Sequence, residues 1–460
     1  MSSAVNELSL SRLLVVSFIL TILVGAFLLW LPVSRLDGVA PVSWVDALFT
    51  STSAVCVTGL TVRDTGTTFS LFGQVVIIVL IQVGGLGFLT FSTYFLSRFY
   101  DRKQGLGAQH RHLLEISHGS VDTIHPAQLL RAIFLFTFAA ELVGALLLFV
   151  RFSETHPAAQ AGWEAVFHAI SAFCNAGFGL FEDNLMGYRA DPLVSGTIMT
   201  LIVMGGLGFL VYAELWQWFL GKVQKRRHRL SLHSRLVLRT SLLLIVVGGV
   251  AISALEWDGE AMGDQPWVVM LESFFLSVSA RTAGFNSVDT GLLTAPTLFL
   301  VALLMVIGGS PGSTAGGMKT TTAAVCFFML RSKAFNRPRV ECLERSLPEE
   351  TVNKAMLVVT GYVLAIIIGV FLLQLTEIGR QPFSKLSNDL FLGYLFETIS
   401  ALGTVGLSAN ITPTLSSGGK LVIVALMFVG RIGPLLAATA VIGGASKIQY
   451  AFAEENVNIG

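Results

Sequence analysis

Charge is scarce in this sequence. Asp, Glu, Lys and Arg together make up 13% of the 460 residues, about half the share in a soluble domain. Residues 13–31, 71–97, 193–213, 240–255, 292–318 and 355–375 carry no charge at all. Runs near twenty residues match the thickness of membrane hydrocarbon. An ordinary soluble domain is excluded, and several membrane helices are implied. No soluble stretch exceeds about thirty residues, too few for a globular domain. Any regulatory domain is therefore expected on a separate chain. The four cysteines show no CxxC and no metal spacing, so they read as structural. A net charge of +1 offers nothing to nucleic acid. No Ser/His/Asp set and no HExxH is present, so the sequence does not read as an enzyme. The N-terminus has Arg12 as its only early cation and no small-x-small site, so 13–31 reads as a retained helix rather than a secretory signal.

Lys and Arg are concentrated in segments 97–125, 221–235 and 331–354. By the positive-inside rule these face the cytoplasm, and so does the N-terminus. The expected location is the cell's inner (plasma) membrane, crossed several times.

What the chain has in abundance is repetition. LFTSTSAVCVTGLT (48–61), VFHAISAFCNAGFG (166–179), SFFLSVSARTAGFN (273–286) and LFETISALGTVGLS (395–408) align without gaps. Each centres on a glycine: Gly59, Gly177, Gly284 or Gly406. Ten residues earlier stands Phe49, Phe167, Phe274 or Phe396. Six earlier stands Ser53, Ser171 or Ser400, with Val278 as the exception. A long apolar helix precedes each segment and a second one follows, reaching a further glycine at Gly84, Gly205, Gly308 or Gly430. The short segments cannot span a membrane. They are expected to enter it as helices and return as extended backbone, which is tolerated only beside water or inside protein. The expected fold is all-α and integral to the membrane. It has four helix–re-entrant loop–helix repeats around a pseudo-fourfold pore, eight transmembrane helices in all, with the axis along the membrane normal. The repeats occupy 1–98, 99–220, 221–332 and 333–447, leaving a cytoplasmic tail at 448–460.

Backbone carbonyls on converging loops can replace the hydration shell of a potassium-sized ion. Glycine suits such a turn because it accepts positive φ, and the C-terminal ends of short helices favour a cation. No Asp or Glu lies within four residues of any of the four glycines, so carbonyl coordination is expected rather than a ring of carboxylates. The sequence differs among the four turns, so one good ion position is expected rather than a long row.

Residues 307–322, IGGSPGSTAGGMKTTT, nearly spell a phosphate-binding loop, but Met318 stands where Lys is required and no α/β domain surrounds it. Two readings remain: a kink that lets helices pack closely, or a break in the third repeat's second helix beneath the glycine turns. Gly and Pro stop a helix, and the freed polar groups would then need partners in a wet cavity. Such a segment, Gly308, Gly309, Ser310, Pro311, Gly312, Ser313, Thr314, Ala315, Gly316 and Gly317, could obstruct an ion path and move aside. Lys319 would sit at its cytoplasmic edge or snorkel as an anchor. Arg431 interrupts an apolar helix in VGRIGP. A charge there costs about 2.5 kcal/mol or more and should face a cavity or the bundle interior, either as a fixed cation beside the ion path or in a structural ion pair. Glu141 lies inside an apolar helix and reads as a buried pair, a helix contact or a functional group. Glu397 and His168, nine residues before their glycines, are expected to hold the re-entrant helices by hydrogen bonds. Asp64, Asp289, Glu182 and Asp183 fall near the outer mouth, as cation attractors or as solvated loop charges.

VCVTGLT, CNAGFG, RTAGFNSVD and GTVGLS, with GGSPGSTAGGMKT and VGRIGP, resemble the Trk/Ktr/HKT superfamily of potassium transporters over nearly the whole chain. Length and the ending EENVNIG resemble the bacterial Ktr-type ion-translocating membrane subunits more than the longer Trk relatives. The resemblance implies K⁺ uptake, Na⁺ as an activator, a homodimer, and a cytosolic ring of nucleotide-binding subunits that carry the nucleotide. It implies a selectivity filter at Val57, Thr58 and Gly59; Asn175, Ala176 and Gly177; Thr282, Ala283 and Gly284; and Thr404, Val405 and Gly406. It also implies a gate made of 308–317, Lys319 and Arg431. Some plant relatives carry Ser at the first filter position and favour sodium; Gly59 favours potassium. The tail is expected at the dimer or partner interface.

Overall fold

The computed structural model describes residues 2–103, 126–225, 229–263, 265–377 and 388–443. The tail 446–460 and most of loop 97–125 lie outside the described residues. Helices dominate: α1 (Ser2–Trp30), α2 (Trp44–Val55), α3 (Leu71–Lys103), α4 (Pro126–Phe152), α5 (Ala158–Phe173), α6 (Pro192–Leu207), α7 (Phe209–Val223), α8 (Leu232–Leu255), α9 (Pro266–Ser279), α10 (Ala295–Val306), α11 (Thr320–Ala334), α12 (Glu349–Glu377), α13 (Asn388–Gly403) and α14 (Ser417–Gly443).

The boundaries follow local chemistry. Ser43 caps α2 by accepting from Asp46 N at 3.0 Å, and Ser231 caps α8 by accepting from Ser234 N at 3.2 Å. Asp191 accepts from Leu193 N and Val194 N at the start of α6, where Pro192 occupies the first turn. An oxygen acceptor satisfies amides that have no partner within the helix, and proline there forfeits none.

The long helices turn apolar side chains outward. Leu135, Leu142, Leu243, Val250, Ile367 and Phe371 are all exposed. Only 22% of the most apolar window of α12 is buried. A water-soluble bundle would bury these faces, so the protein is a helical membrane protein. Among the described residues, Arg131–Phe152, Leu232–Leu255 and Glu349–Glu377 are long and apolar enough to cross a membrane, and α6 with α7 forms one further bent pair.

The four shorter helices α2, α5, α9 and α13 are clamped between the long ones. Each packs against the long helix before it: α1, α4, α8 and α12. The helix after each one packs against the next short helix: α3 on α5, α6 on α9, α10 on α13, and α14 back on α2. The chain of contacts therefore closes on itself. Phe49, Phe167 and Phe396 are fully buried on three of the short helices; in α9 the partly exposed Phe274 yields that role to Phe275.

Among the described residues, one pair of short strands departs from the all-helical expectation. Glu341–Cys342 pairs antiparallel with Arg345–Ser346. Leu343 and Glu344, both at positive φ, make the tight turn that such a hairpin needs. Cys342 is buried beneath it beside Leu236 and Ala324.

Candidate functional site

Each short helix ends just before its glycine, so its partially negative C-terminus adjoins the turn. The turns share one backbone pattern. Val57, Asn175, Thr282 and Thr404 have φ between 48° and 68°, and Gly59, Gly177, Gly284 and Gly406 have φ between 71° and 98°. Each turn thus places one ordinary residue between two left-handed ones. Three of the non-glycine residues are β-branched, for which positive φ is strained by about 1–3 kcal/mol. The surroundings hold them there. Ser53 Oγ accepts from Gly59 N and Ser400 Oγ from Gly406 N, both at 3.1 Å, while Ser171 Oγ donates to Phe178 O at 2.8 Å. In the third turn Val278 has no hydroxyl, and the adjacent Ser279 donates to Phe285 O instead. Its helix also ends one residue earlier relative to the glycine than α2 and α5 do.

The four turns meet. A Cβ placed on Gly177 would lie 2.7 Å from Ala283 O, and one on Gly284 would lie 2.5 Å from Val405 O. A Cβ on Gly59 would overlap Ala176 O, and one on Gly406 would overlap Thr58 O. Each glycine thus rests against the carbonyl before the next glycine, around a closed ring. The glycines of the following helices have a related purpose. A side chain at Gly84, Gly205 or Gly430 would overlap the carbonyl of Val55, Phe173 or Leu402, each in the last turn of its own short helix.

Beneath the ring lies the interrupted segment between α10 and α11. It is almost wholly buried, with Ile307, Pro311 and Lys319 partly exposed. Its polar groups find partners in protein. The reason is a second break. Helix α6 ends at Leu207, Gly208 takes φ +89°, and α7 leaves at 98°. The last carbonyls of a helix have no partner within it. Here Gly206 O accepts from Ser310 N at 2.9 Å and Gly205 O from Thr314 N at 3.1 Å. In return Gly312 O accepts from Phe209 N, the first amide of α7, at 3.0 Å. Two broken helices satisfy each other. The segment closes on itself where Met318 O accepts from Gly308 N, and Ser310 Oγ meets Thr320 Oγ1 at 3.0 Å.

Arg431 is fully buried and reaches this segment. Its Nη1 donates to Thr314 O at 2.6 Å and its Nη2 to Gly84 O at 3.1 Å. Lys319 Nζ turns back to donate to Ala315 O at 2.7 Å, so it ties the segment rather than snorkelling away. Thr314 Oγ1 stands 3.1 Å from both Phe173 O and Asn175 Oδ1. Ring, segment and arginine form one assembly.

The chain belongs to the TrkH cation transport protein family. The family model matches residues 11–443. The Ktr system potassium uptake protein B of Bacillus subtilis (strain 168) is 38% identical over 92% of this chain and 91% of its own length. The protein of that name from Vibrio alginolyticus is 39% identical over 93% and 90%. The potassium/sodium uptake protein NtpJ of Enterococcus hirae is 33% identical over 99% and 98%. The crystal structure of the potassium transporter TrkH from Vibrio parahaemolyticus matches in fold with a TM-score of 0.70, at 16% identity, over 96% of this chain and 85% of that one.

Other polar residues of this TrkH-family chain fasten the frame. His168 Nδ1 lies 2.7 Å from Glu164 O, and Nε2 accepts from Leu180 N at 3.3 Å. Glu397 accepts from Ala409 N at 3.1 Å and from Ser408 Oγ and Thr412 Oγ1 at 2.5 Å. Leu180 and Ala409 both stand three residues after their glycine, so an imidazole nitrogen and a carboxylate oxygen do the same task, each accepting from that amide. Asp64 and Asp289 cap loop turns, Asp289 also accepting from Asn410 Nδ2 at 2.8 Å, while Glu182 and Asp183 are exposed. Glu141 accepts from Gln82 Nε2 at 3.1 Å on both oxygens, and Gln82 Oε1 accepts from Cys174 Sγ at 3.3 Å. Sequence reasoning missed the bend at Gly208, the substitute Ser279, and the partly buried Asp46–Lys420 pair at 2.7 Å. The first had a visible signal in GGLGF at 205–209, yet the same pentapeptide at 84–88 lies in unbroken α3. It breaks only where a neighbouring segment supplies partners.

Proposed function

We propose that this chain takes up potassium across the cell membrane through a gated pore whose selective element is the ring of glycine turns. The closed contact order of those turns carries the reading. Carbonyls held on strained, tightly packed backbone can replace a hydration shell without reorganising. In this reading Val57, Thr58 and Gly59, Asn175, Ala176 and Gly177, Thr282, Ala283 and Gly284, and Thr404, Val405 and Gly406 line the ion position. The pore is assigned four repeats (1–98, 99–220, 221–332, 333–447), eight membrane crossings, and a cytoplasmic N-terminus and tail. The names of two relatives, both potassium uptake proteins, support the ion, a third is named for potassium/sodium uptake, and none names an enzyme.

The segment 308–317 is the gate in this reading, with Lys319 and Arg431 as its fastenings. A buried loop bridging two broken helices blocks the path below the ring, and a fixed guanidinium beside it raises the barrier to a cation. Sodium activation, a homodimer and a cytosolic ring of nucleotide-binding subunits complete the proposal on the strength of the resemblance. The test is flux in liposomes holding the purified chain, with potassium, rubidium or sodium as permeant ion, for wild type and Gly59→Ser. Potassium and rubidium should exceed sodium, and the serine should erode the difference. Sodium flux equal to or above potassium would favour a sodium transporter of the same fold. Absence of flux from folded protein, even with 308–319 shortened, would refute the pore.

A further inference from the structure

The residue two before each glycine carries a second set of groups. In three of the four turns it is polar: Asn175, Thr282 and Thr404. All three are fully buried, and Thr282 Oγ1, Thr404 Oγ1 and Asn175 Nδ2 have no hydrogen-bond partner among the described residues. All three side chains meet the interrupted segment. A Cβ on Gly316 would overlap Thr404 Oγ1, and one on Gly308 would lie 2.9 Å from Thr282 Cγ2. Thr314 touches Asn175 directly. Buried hydroxyls without partners are costly, and a cation stripped of water is one group that would repay them.

Thr314 has one proton and two acceptors at 3.1 Å, Phe173 O and Asn175 Oδ1. Turning the Asn175 amide by half a revolution resolves this. Nδ2 then donates one of its two protons to Thr314 Oγ1, and Thr314 donates to Phe173 O. Amide oxygen and nitrogen are assigned from such networks. In either setting the hydroxyl clamps the amide to the segment. The main-chain carbonyl of Thr314 is held at the same time by Arg431. One residue therefore ties the second glycine turn to the arginine.

We propose that Thr314 couples the gate to the selective ring: while the segment is seated its hydroxyl clamps the Asn175 amide, and unseating frees that amide, with the Thr282 and Thr404 hydroxyls, to bind a dehydrated monovalent cation below the carbonyl ring. The inference rests on the proposed pore and gate. It makes gate position and ion preference one variable, and makes Thr314 a positioning residue acting through Asn175.

The experiment uses the full chain in liposomes, with potassium and sodium flux measured separately. Thr314→Val removes the hydroxyl and nearly keeps the shape; Thr314→Ser keeps the hydroxyl. A second comparison places Thr314→Val in an Asn175→Leu background, and a variant with 308–319 shortened reports on the gate alone. Losing one net hydrogen bond should raise potassium flux for Thr314→Val by roughly two- to tenfold, with a changed potassium-to-sodium ratio. Thr314→Ser should match wild type, and Thr314→Val should add nothing once Asn175 is Leu. Wild-type flux and ratio for Thr314→Val, with raised flux for the shortened segment, would overturn the coupling and leave the gate standing. Unchanged flux for both would overturn gate and coupling together. If Thr314→Val does not fold, Thr314→Ala replaces it under the same criteria.

Discussion

A methyl group on Gly177 tests the ring with a control inside the same molecule. Gly177 and Gly38 both hold left-handed backbone, at φ +71° and +84°. Alanine at either position costs about 1–2 kcal/mol for that conformation alone. Their surroundings differ. Nothing lies within 4 Å of a Cβ at Gly38, whereas one at Gly177 meets Ala283 O at 2.7 Å, Gly284 Cα at 2.9 Å and Gly284 C at 3.0 Å. Ordinary contact begins at 3.4 Å. The obstructing atoms are backbone, so no side chain can rotate away, and overpacking of this kind adds about 1–3 kcal/mol. Relief requires the third turn to retreat by roughly 0.7 Å, which takes its carbonyl out of register with the other three. Thermal unfolding in detergent should show Gly177→Ala less stable than Gly38→Ala by that overpacking increment. In liposomes Gly38→Ala should keep wild-type flux and selectivity. Gly177→Ala should lose about tenfold or more of its potassium flux, together with discrimination against sodium. Wild-type flux and selectivity in Gly177→Ala would mean that ions do not pass the glycine ring.

Arg431→Gln removes charged donors to Thr314 O and Gly84 O, each bond being worth about 1.5–3 kcal/mol. It should raise flux from the chain alone; flux at the wild-type level would show that the arginine does not hold the gate. Glu141→Leu strands the amide of Gln82 and should cost about 1–3 kcal/mol of stability, while Glu141→Gln should retain most of it. Equal melting of the two variants would remove the carboxylate from the network. Burial pushes the Cys342 thiol above its ordinary pKa, so little reactive thiolate exists at pH 8. Maleimide should label Cys342 slowly in native protein and quickly in denaturant, with the native rate still climbing above pH 9. Rapid native labelling at pH 8 would show the hairpin to be open.

The four glycine segments were legible because local chemistry repeats there. A glycine at positive φ, a serine that reaches it and a phenylalanine that anchors the helix are all short-range requirements. The interruption at 307–319 was legible for the same reason, since Gly and Pro cannot continue a helix. Its partners were not. Nothing local says that Gly205 O and Gly206 O would be spent on Thr314 N and Ser310 N, because those bonds depend on where two distant helices stop. The same holds for Arg431, whose charge was conspicuous while its acceptors, Thr314 O and Gly84 O, lie far away in the chain. Val278 remains the exception in register. Ser279, one place on, performs the task because α9 ends one residue early relative to its glycine.

The ring of glycines is strung on a single polypeptide, so each quadrant is encoded separately. An assembly of four identical chains would answer one codon change with four simultaneous alterations around its axis. Here a mutation moves one quarter of the circle and leaves three as reference. That freedom explains how Val57 can stand where the other quadrants place Asn175, Thr282 and Thr404. Ion preference in such a molecule can drift in small, lopsided increments, each open to selection alone.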